Sequence, residues 1–369
     1  MAESIARSSR DAPPTKLLRV GVGRDDLGWH ERFLAAAERD EWASTIAEFA
    51  VLDLDACGWL SAVRDLDAVL WTPTCLGTVA VSYFKEKVYF MERHLGIRVM
   101  PNFSTVWHFE SKVAQHSLMQ HYDIPTPATF SSTSMDDSLK ALAAAKFPLV
   151  FKKPAGAGSR GVSLVRSRGS AERKIRSIFF QQMWQQCKDA RVGARPFLLS
   201  AGATTWLPRK IVQRLSAGET GGIALWQEFI DGNDADLRIT VIGGRYAYAF
   251  WRRNRPGDFR ASGSGLIDYD RIVPAEIIEY CIALNVRLGF DSMAYDLLFR
   301  DDQFLICEMS YGYVDSAVQA CPGHYRRDDE GGLAWYPGHV WPQELSVKWL
   351  IESLLSRGAA ATEAEERSQ

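Results

Sequence analysis

A lysine, a glycine-rich loop and two flanking apolar runs form the segment of this sequence best suited to phosphate chemistry. The first run ends at Lys152, and Gly156, Gly158 and Gly161 follow with the spacing G-x-G-x-x-G. A dinucleotide fold needs a helix after the third glycine, and a Walker loop needs Gly-Lys-Ser/Thr at its end. Here the loop ends Gly-Val-Ser and an alternating run, 162–165, predicts a strand. The pattern therefore predicts a hairpin whose flexible tip can fold over a triphosphate.

A protein kinase also uses a glycine-rich loop over ATP, but it needs two further motifs downstream. These are His-Arg-Asp in the catalytic loop and Asp-Phe-Gly in the metal-binding loop. The sequence contains neither motif. The protein-kinase fold is therefore excluded as the source of the glycine pattern.

A second predicted hairpin carries two carboxylates that could bind a divalent cation. Its predicted strands, 293–300 and 304–309, contain Asp296 and Glu308. A three-residue loop, 301–303, would place the two side chains opposite each other, about 4.5–5.5 Å apart at Cβ. A two-residue loop would place them on opposite faces of the hairpin. We predict the three-residue loop, with Mg²⁺ between the carboxylates, because facing anions repel without a cation and Mg²⁺ prefers oxygen ligands.

The order of these segments resembles the ATP-grasp superfamily, and within it carboxylate–amine ligases such as glutathione synthetase and D-alanine–D-alanine ligase. The resemblance covers a little over half of the chain. Its motifs are Lys112, Asp123-Ile-Pro-Thr-Pro-Ala-Thr, Lys152 with its glycine loop, Trp226-Gln-Glu-Phe-Ile-Asp-Gly232, Asp236-Leu-Arg238, Arg252, Gly257-Asp-Phe-Arg260, Asp296 and Glu308-Met-Ser310.

The resemblance implies a role for each of these positions. ATP would be bound by Lys112, Lys152, Gly156, Gly158, Ser159, Gly161, Gln227, Glu228, Phe229, Ile230 and Asp236. The catalytic residues would be Arg238, Arg252 and Arg260, and the Mg²⁺ ligands Asp296, Glu308 and Ser310. The family usually ends its metal site with Glu-x-Asn, and often has Asn after the Phe-Arg pair. This chain has serine at both places, Ser310 and Ser262, and a hydroxyl can still coordinate a hard cation or hold its water.

The activity implied by the resemblance is an ATP-dependent ligation. A carboxylate is converted into an acyl phosphate, an amine attacks it, and an amide, ADP and phosphate result. The carboxylate could belong to a small molecule or be linked to a peptide or saccharide, and the resemblance is compatible with a homodimer. Two alternatives stay open: a kinase of the same fold that phosphorylates a hydroxyl, and a nucleotide-binding protein without turnover.

Composition narrows the class of protein. The chain has 369 residues, of which 47% are hydrophobic and 24% charged, as in ordinary globular proteins. A formal net charge of -2 argues against a generic nucleic-acid binder. No apolar run approaches the roughly 20 residues of a membrane span. Six scattered cysteines without a Cys-x-x-Cys pair are typical of reduced thiols, so we expect a cytoplasmic protein.

The fold class expected is a combination of α/β and α+β, with three parts. Strands at 17–22, 46–54, 66–71 and 97–100 alternate with helices and predict a Rossmann-like parallel sheet. The resemblance adds a central lid subdomain and a C-terminal antiparallel-sheet subdomain that holds the metal site, where Gly243-Gly244 predicts a two-residue hairpin loop. The predicted bounds are 1–14 (disordered), 15–125 (N-terminal domain), 126–222 (lid, with an insertion at 192–222), 223–356 (C-terminal subdomain) and 357–369 (disordered).

Overall fold

The computed structural model describes residues 17–73, 78–156, 161–189 and 222–366. The predicted disordered N-terminus, Gly158, Ser159 and nearly all of the 192–222 insertion lie outside the described residues. The chain forms two compact units. Unit 1 comprises Met1–Phe109, Asp234–Leu298 and Ile306–Gln369, and unit 2 comprises Glu110–Asn233 and Phe299–Leu305. The domain boundaries expected at residues 125 and 222 stay predictions.

The described strands and helices follow in chain order. The strands are β1 (Leu18–Gly23), β2 (Ala47–Leu52), β3 (Ala68–Leu70), β4 (Arg98–Met100), β5 (Thr129–Ser132), β6 (Leu149–Phe151), β7 (Ser163–Val165), β8 (Ala224–Glu228), β9 (Ala235–Ile242), β10 (Tyr246–Arg253), β11 (Ile267–Asp268), β12 (Ser292–Arg300), β13 (Gln303–Ser310), β14 (Gly323–Arg327) and β15 (Leu333–Pro337). The helices are α1 (Trp29–Arg39), α2 (Glu41–Ile46), α3 (Trp59–Val63), α4 (Thr78–His94), α5 (Phe103–Val106), α6 (Lys112–His121), α7 (Met135–Ala144), α8 (Arg168–Asp189), α9 (Ala275–Leu288), α10 (Asp315–Gln319) and α11 (Pro342–Glu366).

The N-terminal part of unit 1 contains the predicted parallel sheet. Its strand order is β2-β1-β3-β4, and all neighbouring strands are parallel. Val20, Val22 and Leu70 are fully buried, as expected for a parallel sheet covered on both faces. The alternation of strand and helix in the sequence predicted this arrangement, and the structure confirms it.

The remainder of unit 1 is built on an antiparallel sheet in the order β13-β12-β9-β10-β14-β15, with β11 paired to β10. Both hairpin loops in this sheet differ in length from the prediction. Ile242 pairs with Tyr246, so three residues rather than two separate β9 from β10. Only Asp301 and Asp302 separate β12 from β13, so the predicted three-residue loop is wrong.

Unit 2 contains an antiparallel sheet in the order β5-β8-β6-β7. Strands β6 and β7 flank the glycine loop and pair from Leu149↔Val165 to Phe151↔Ser163. Phe151 and Phe179 are almost completely buried in the core of this unit. The pairing confirms the predicted hairpin and separates this loop from those of dinucleotide and Walker folds, which lead into a helix.

The last helix, α11, continues through residues 357–366, where the composition predicted disorder. The segment is rich in Ala and Glu, which are strong helix formers. No described helix is both long and apolar enough to cross a membrane.

Candidate functional site

The glycine hairpin of unit 2 brings together two of the predicted ATP-binding positions. Lys112 begins α6, and its Nζ donates a hydrogen bond of 2.5 Å to the carbonyl of Gly156. Its backbone N–H donates to the Pro154 carbonyl at 2.9 Å. Lys152 directly follows β6, and its N–H donates to the Leu225 carbonyl at 3.1 Å. The first lysine therefore contacts the loop that the second one opens, which sequence spacing did not indicate.

The predicted adenine hinge, residues 227–230, begins at the end of β8 in the same unit. The Glu228 N–H donates to the Ala128 carbonyl at 2.9 Å, and the Ala128 N–H donates to Glu228 Oε1 at 2.8 Å. The Arg300 guanidinium forms an ion pair with the same carboxylate. Since the Glu228 side chain is bound to protein groups, the hinge would meet a base through its backbone.

Sequence reasoning missed the two residues that hold the hinge to the hairpin tip. One is Arg300, through its ion pair with Glu228. The other is Asn233, whose Nδ2 donates to the Phe299 carbonyl at 2.9 Å and whose Oδ1 accepts from the Phe299 N–H at 2.8 Å. Neither residue belongs to a motif, so no sequence signal was available to find them.

A buried cluster of two acids and two arginines is the main charged feature of unit 1. Asp236 and Arg238 lie on β9, Arg252 on β10 and Asp296 on β12. The strand register places Arg252 opposite Asp236 and Asp296 opposite Arg238. Both carboxylates are only 7% exposed. The register therefore unites residues predicted to bind ribose, substrate and metal.

The hydrogen bonds in this cluster form a continuous chain. Arg252 donates to both Asp236 oxygens, at 2.7 and 2.6 Å, and its Nη2 lies 2.8 Å from Asp296 Oδ2. Arg238 donates to both Asp296 oxygens, at 2.5 and 3.1 Å. Two anions and two cations balance each other, which removes most of the penalty of burying charge.

Burial and neighbouring charges shift the pKa values of Asp236 and Asp296 in opposite directions. Burial alone would raise the pKa of Asp296, but Arg238 and Arg252 outweigh it and lower this pKa to about 2. Burial and the nearby Asp296 anion raise the pKa of Asp236, against the effect of Arg252. Asp296 is therefore an anion at neutral pH, and both of its oxygens are held by the arginines.

Comparison with known proteins connects these features to a fold. No family model matches the sequence, and no curated protein matches it. Among solved structures, the chain is similar to a RimK domain protein ATP-grasp from Sphaerobacter thermophilus (TM-score 0.53, 15% identity, 81% of this chain and 93% of that chain covered). It is also similar to D-alanine–D-alanine ligase from Bacillus anthracis complexed with ATP (0.52, 15%, 82% and 89%) and to the ATP-grasp ligase PsnB complexed with minimal precursor (0.53, 13%, 91% and 98%). This chain has the ATP-grasp fold.

The ATP-grasp fold gives the predicted metal ligands a context, but the structure corrects their expected geometry. In a regular two-residue hairpin, residue 296 would face residue 307, and Glu308 would lie on the other face. Burial does not decide between the faces of β13, because Ile306 and Met309, three residues apart, are both fully buried. The facing pair of carboxylates predicted from a three-residue loop is therefore not supported.

The donor set still fits the cation that this fold implies. Mg²⁺ is commonly held by one or two carboxylates together with substrate phosphates and waters, rather than by a cage of protein ligands. Asp296 and Glu308 would supply the carboxylates of such a site. The Ser310 hydroxyl donates to the Gly312 carbonyl at 2.9 Å and accepts from the Gly312 N–H at 3.2 Å. In the described ranges, no group of three or more His, Cys, Asp or Glu side chains is arranged to hold a metal.

The third predicted catalytic arginine of the ATP-grasp pattern, Arg260, is placed differently from Arg238 and Arg252. Its ion pair is local, with Nη2 lying 2.5 Å from Asp258 Oδ2 two residues earlier in the same loop. We expect Arg260→Ala to change the free energy of unfolding by less than about 0.5 kcal/mol, because exposed pairs contribute little. If Arg260 contacts the substrate, the same substitution should still reduce kcat. Arg253→Ala, which removes a comparable exposed pair with Asp268, is the matched control, and equal activity of the two variants would contradict that role.

Backbone conformation in the ATP-grasp loop supports a further prediction. Gly161 has φ 81°, and a Cβ there would lie 2.5 Å from Lys153 Cγ. We expect Gly161→Ala to weaken ATP binding roughly tenfold, since a left-handed alanine is strained by about 1–3 kcal/mol. Gly169→Ala, in α8, is the control, because a Cβ there meets only an Arg173 nitrogen at 3.7 Å. Calorimetric titration with ATP compares the variants, and unchanged affinity of Gly161→Ala would show that the loop conformation is not needed.

Proposed function

We propose that this protein is an ATP-dependent ligase that activates a carboxylate as an acyl phosphate and joins it to an amine. The observation that carries the proposal is the buried cluster of Asp236, Arg238, Arg252 and Asp296 on an ATP-grasp fold. Two arginines held in fixed positions beside an anionic carboxylate suit the binding of a planar acyl phosphate.

Each group has a defined role in this proposal. Lys112 and Lys152 would neutralise phosphate oxygens of ATP. Asp296 and Glu308 would hold Mg²⁺, which supplies charge neutralisation at the phosphates when it is bound. In-line phosphoryl transfer needs mainly positioning and neutralisation, so no side-chain nucleophile is required.

Arg238 and Arg252 stabilise the reacting carboxylate and then the acyl phosphate. Both already donate to Asp296, so a substrate anion must share their remaining N–H groups. A guanidinium has five N–H donors, which is more than the bonds of either arginine to Asp236 and Asp296 require. The arginines can therefore bind substrate without giving up their contacts to the strand.

The substrates belong to one of two classes. Among structures with this fold, one is a D-alanine–D-alanine ligase, and another is a ligase complexed with a precursor. We propose an amino acid or a peptide-linked carboxylate as the acid and an amino group as the nucleophile. We further propose that the protein acts in the cytoplasm, where ATP is available.

Trapping with hydroxylamine tests the function directly. The full chain is incubated with ATP, Mg²⁺ and a mixture of the standard L-amino acids, D-alanine, succinate and short acidic peptides. We expect ATP-dependent hydroxamates, with ADP and phosphate released in equal amounts, and amides of the same acids when hydroxylamine is left out. A phosphorylated hydroxyl without hydroxamate would favour the kinase alternative, and the absence of both products would refute the ligase.

A further inference from the structure

A histidine–carboxylate pair lies just after the first strand of unit 1, outside every motif considered above. Asp25 follows β1, and its Oδ2 lies 3.1 Å from Nδ1 of His30 in the first turn of α1. The side chains are 6% and 14% exposed, respectively. Three backbone N–H groups also donate to the Asp25 carboxylate: Leu27 at 2.8 Å, Trp29 at 3.1 Å and His30 at 2.8 Å.

These bonds fix which imidazole nitrogen can accept a proton. An anionic oxygen 3.1 Å from Nδ1 requires the hydrogen to lie on Nδ1, because two lone pairs would otherwise face each other. The Asp25 N–H also points at this nitrogen, at 3.3 Å, and taken alone would favour the other tautomer, so the assignment rests on the shorter bond to the carboxylate. Nε2 is then the nitrogen left to accept a proton. The backbone donors alone suffice to cap the helix, so capping does not account for the imidazole.

The topology places this pair where open parallel sheets bind ligands. In the order β2-β1-β3-β4, the second strand lies on one side of β1 and the third strand lies on the other side. Ligands of such sheets bind outside the carboxyl ends of the strands at that switch point. Here the switch point lies between the segments that follow β1 and β3. Asp25 and His30 belong to the first of these, and Trp71 to Pro73 to the second.

The chain that follows the proposed metal ligands packs against both sides of this switch point. Tyr311, directly after Ser310, donates its hydroxyl to the Pro73 carbonyl at 2.6 Å. The ring of Tyr313 lies 5.3 Å from the ring of Trp29, the neighbour of His30. The end of β13 and the pair are therefore held at the same edge of the parallel sheet, within one unit.

We propose that His30 is the general base that removes a proton from the attacking amine, with Asp25 as its positioning residue. The inference rests on the proposed ligase function. As the amine nitrogen bonds to the acyl carbon, the bond from that carbon to the phosphate oxygen breaks and phosphate leaves. The amine proton passes to Nε2 and from there to water, giving a neutral amide. General-base catalysis of this kind contributes about 10²–10⁴-fold to a rate.

Several charged groups lie around the pair, and those on the packed elements are bound to one another. On the elements packed against α1, Asp315 of α10 binds Arg32 at 2.9 Å and Glu344 of α11 binds Arg39 at 3.3 Å. Arg24 and Asp26 flank Asp25 in the exposed loop, and Glu31 lies in the first turn of α1. Within the described residues, Asp25 is the only carboxylate that forms a hydrogen bond with the His30 imidazole.

The test compares two nucleophiles in the mixture of acids used above, with the full chain. Hydroxylamine is uncharged at neutral pH, so it needs no base to become nucleophilic and can lose its proton to water after the attack, whereas an α-amino group with a pKa of about 7.7–8.0 is mostly protonated there. We expect His30→Gln to keep hydroxamate formation within about twofold and to lower amide formation roughly 10²-fold at pH 7. Raising the pH to about 9 should restore most of the amide rate, because the amine then loses its proton unaided.

Several outcomes separate the two proposals. Equal loss of hydroxamate and amide in His30→Gln, or no loss of either, would overturn the role of His30 while leaving the ligase intact. A wild-type protein that forms no hydroxamate would refute the ligase and the base together. Asp25→Asn should lower only amide formation, and His121→Gln, an exposed histidine at the end of α6, should change neither product. Nitrogen-15 NMR of the wild-type protein should show His30 protonated at Nδ1, and the opposite tautomer would contradict the inference.

Discussion

Replacing Lys152 with methionine is expected to lower kcat/KM for ATP-dependent turnover by roughly 10²–10³-fold. Methionine keeps the length and most of the apolar stem but has no charge for the phosphate oxygens. The residue follows β6 directly, and its backbone bond to Leu225 does not depend on the side chain. The fold should therefore survive, with an unfolding midpoint within a few degrees of the wild type.

Lys140→Met is the matched control for this experiment. Lys140 is an exposed lysine on α7 of the same unit, so its loss removes one positive charge without touching the glycine hairpin. Initial rates of ADP release measured over a range of ATP concentrations compare the two variants. If Lys152→Met retained wild-type kinetics, the glycine hairpin would not be a phosphate-binding element.

Replacing Asp296 with asparagine should remove both activity and much of the stability. The change leaves Asp236 as the one carboxylate of the cluster beside Arg238 and Arg252, and breaking a buried ion pair from one side costs about 3–5 kcal/mol. Activity should fall by roughly 10²–10³-fold or more, because the charge that orders the arginines and would hold Mg²⁺ is lost. Urea denaturation and the ATP-dependent release of ADP measure the two effects.

A second substitution separates the structural effect from the chemical one. Adding Arg238→Met to Asp296→Asn rebalances the cluster at one anion and one cation, so part of the lost free energy of unfolding should return. Activity should not return, because the double variant still lacks the carboxylate and also lacks an arginine. If the double variant regained activity, Asp296 would have a structural role only. If Asp296→Asn were as stable as the wild type, the ion pairs would contribute nothing to the fold.

The sequence predicted strands better than it predicted the loops that join them. The run ending at Lys152 and the run 162–165 were predicted as a hairpin because the first is apolar and the second alternates, and β6 and β7 confirm it. Both loop lengths in the antiparallel sheet were wrong. Gly243 and Gly244 have φ values of 62° and 61°, which suits a two-residue turn, yet Arg245 also lies outside the strands. Asp301 adopts φ 52°, a conformation that aspartate tolerates better than most residues, and this shortens the other loop.

The charged cluster shows why motif positions did not predict the site geometry. Asp236, Arg238, Arg252 and Asp296 were each given a separate role by resemblance. Their contacts depend on the register between β9, β10 and β12, which is set by turns and by packing across the sheet rather than by spacing along the chain. The Asp25–His30 pair had no motif at all, because five-residue spacing between an acid and a histidine is common and acquires meaning only from its place at the sheet edge.

The transfer of oxygen-18 from a labelled carboxylate to phosphate tests the central claim most directly. The acids of the mixture are labelled at their carboxylate oxygens and incubated with the full chain, ATP and Mg²⁺. Formation of an acyl phosphate and its attack by an amine must leave one carboxylate oxygen in the released phosphate, so we predict phosphate that carries a single label in step with amide formation. Phosphate released without label while amide accumulates would contradict the account.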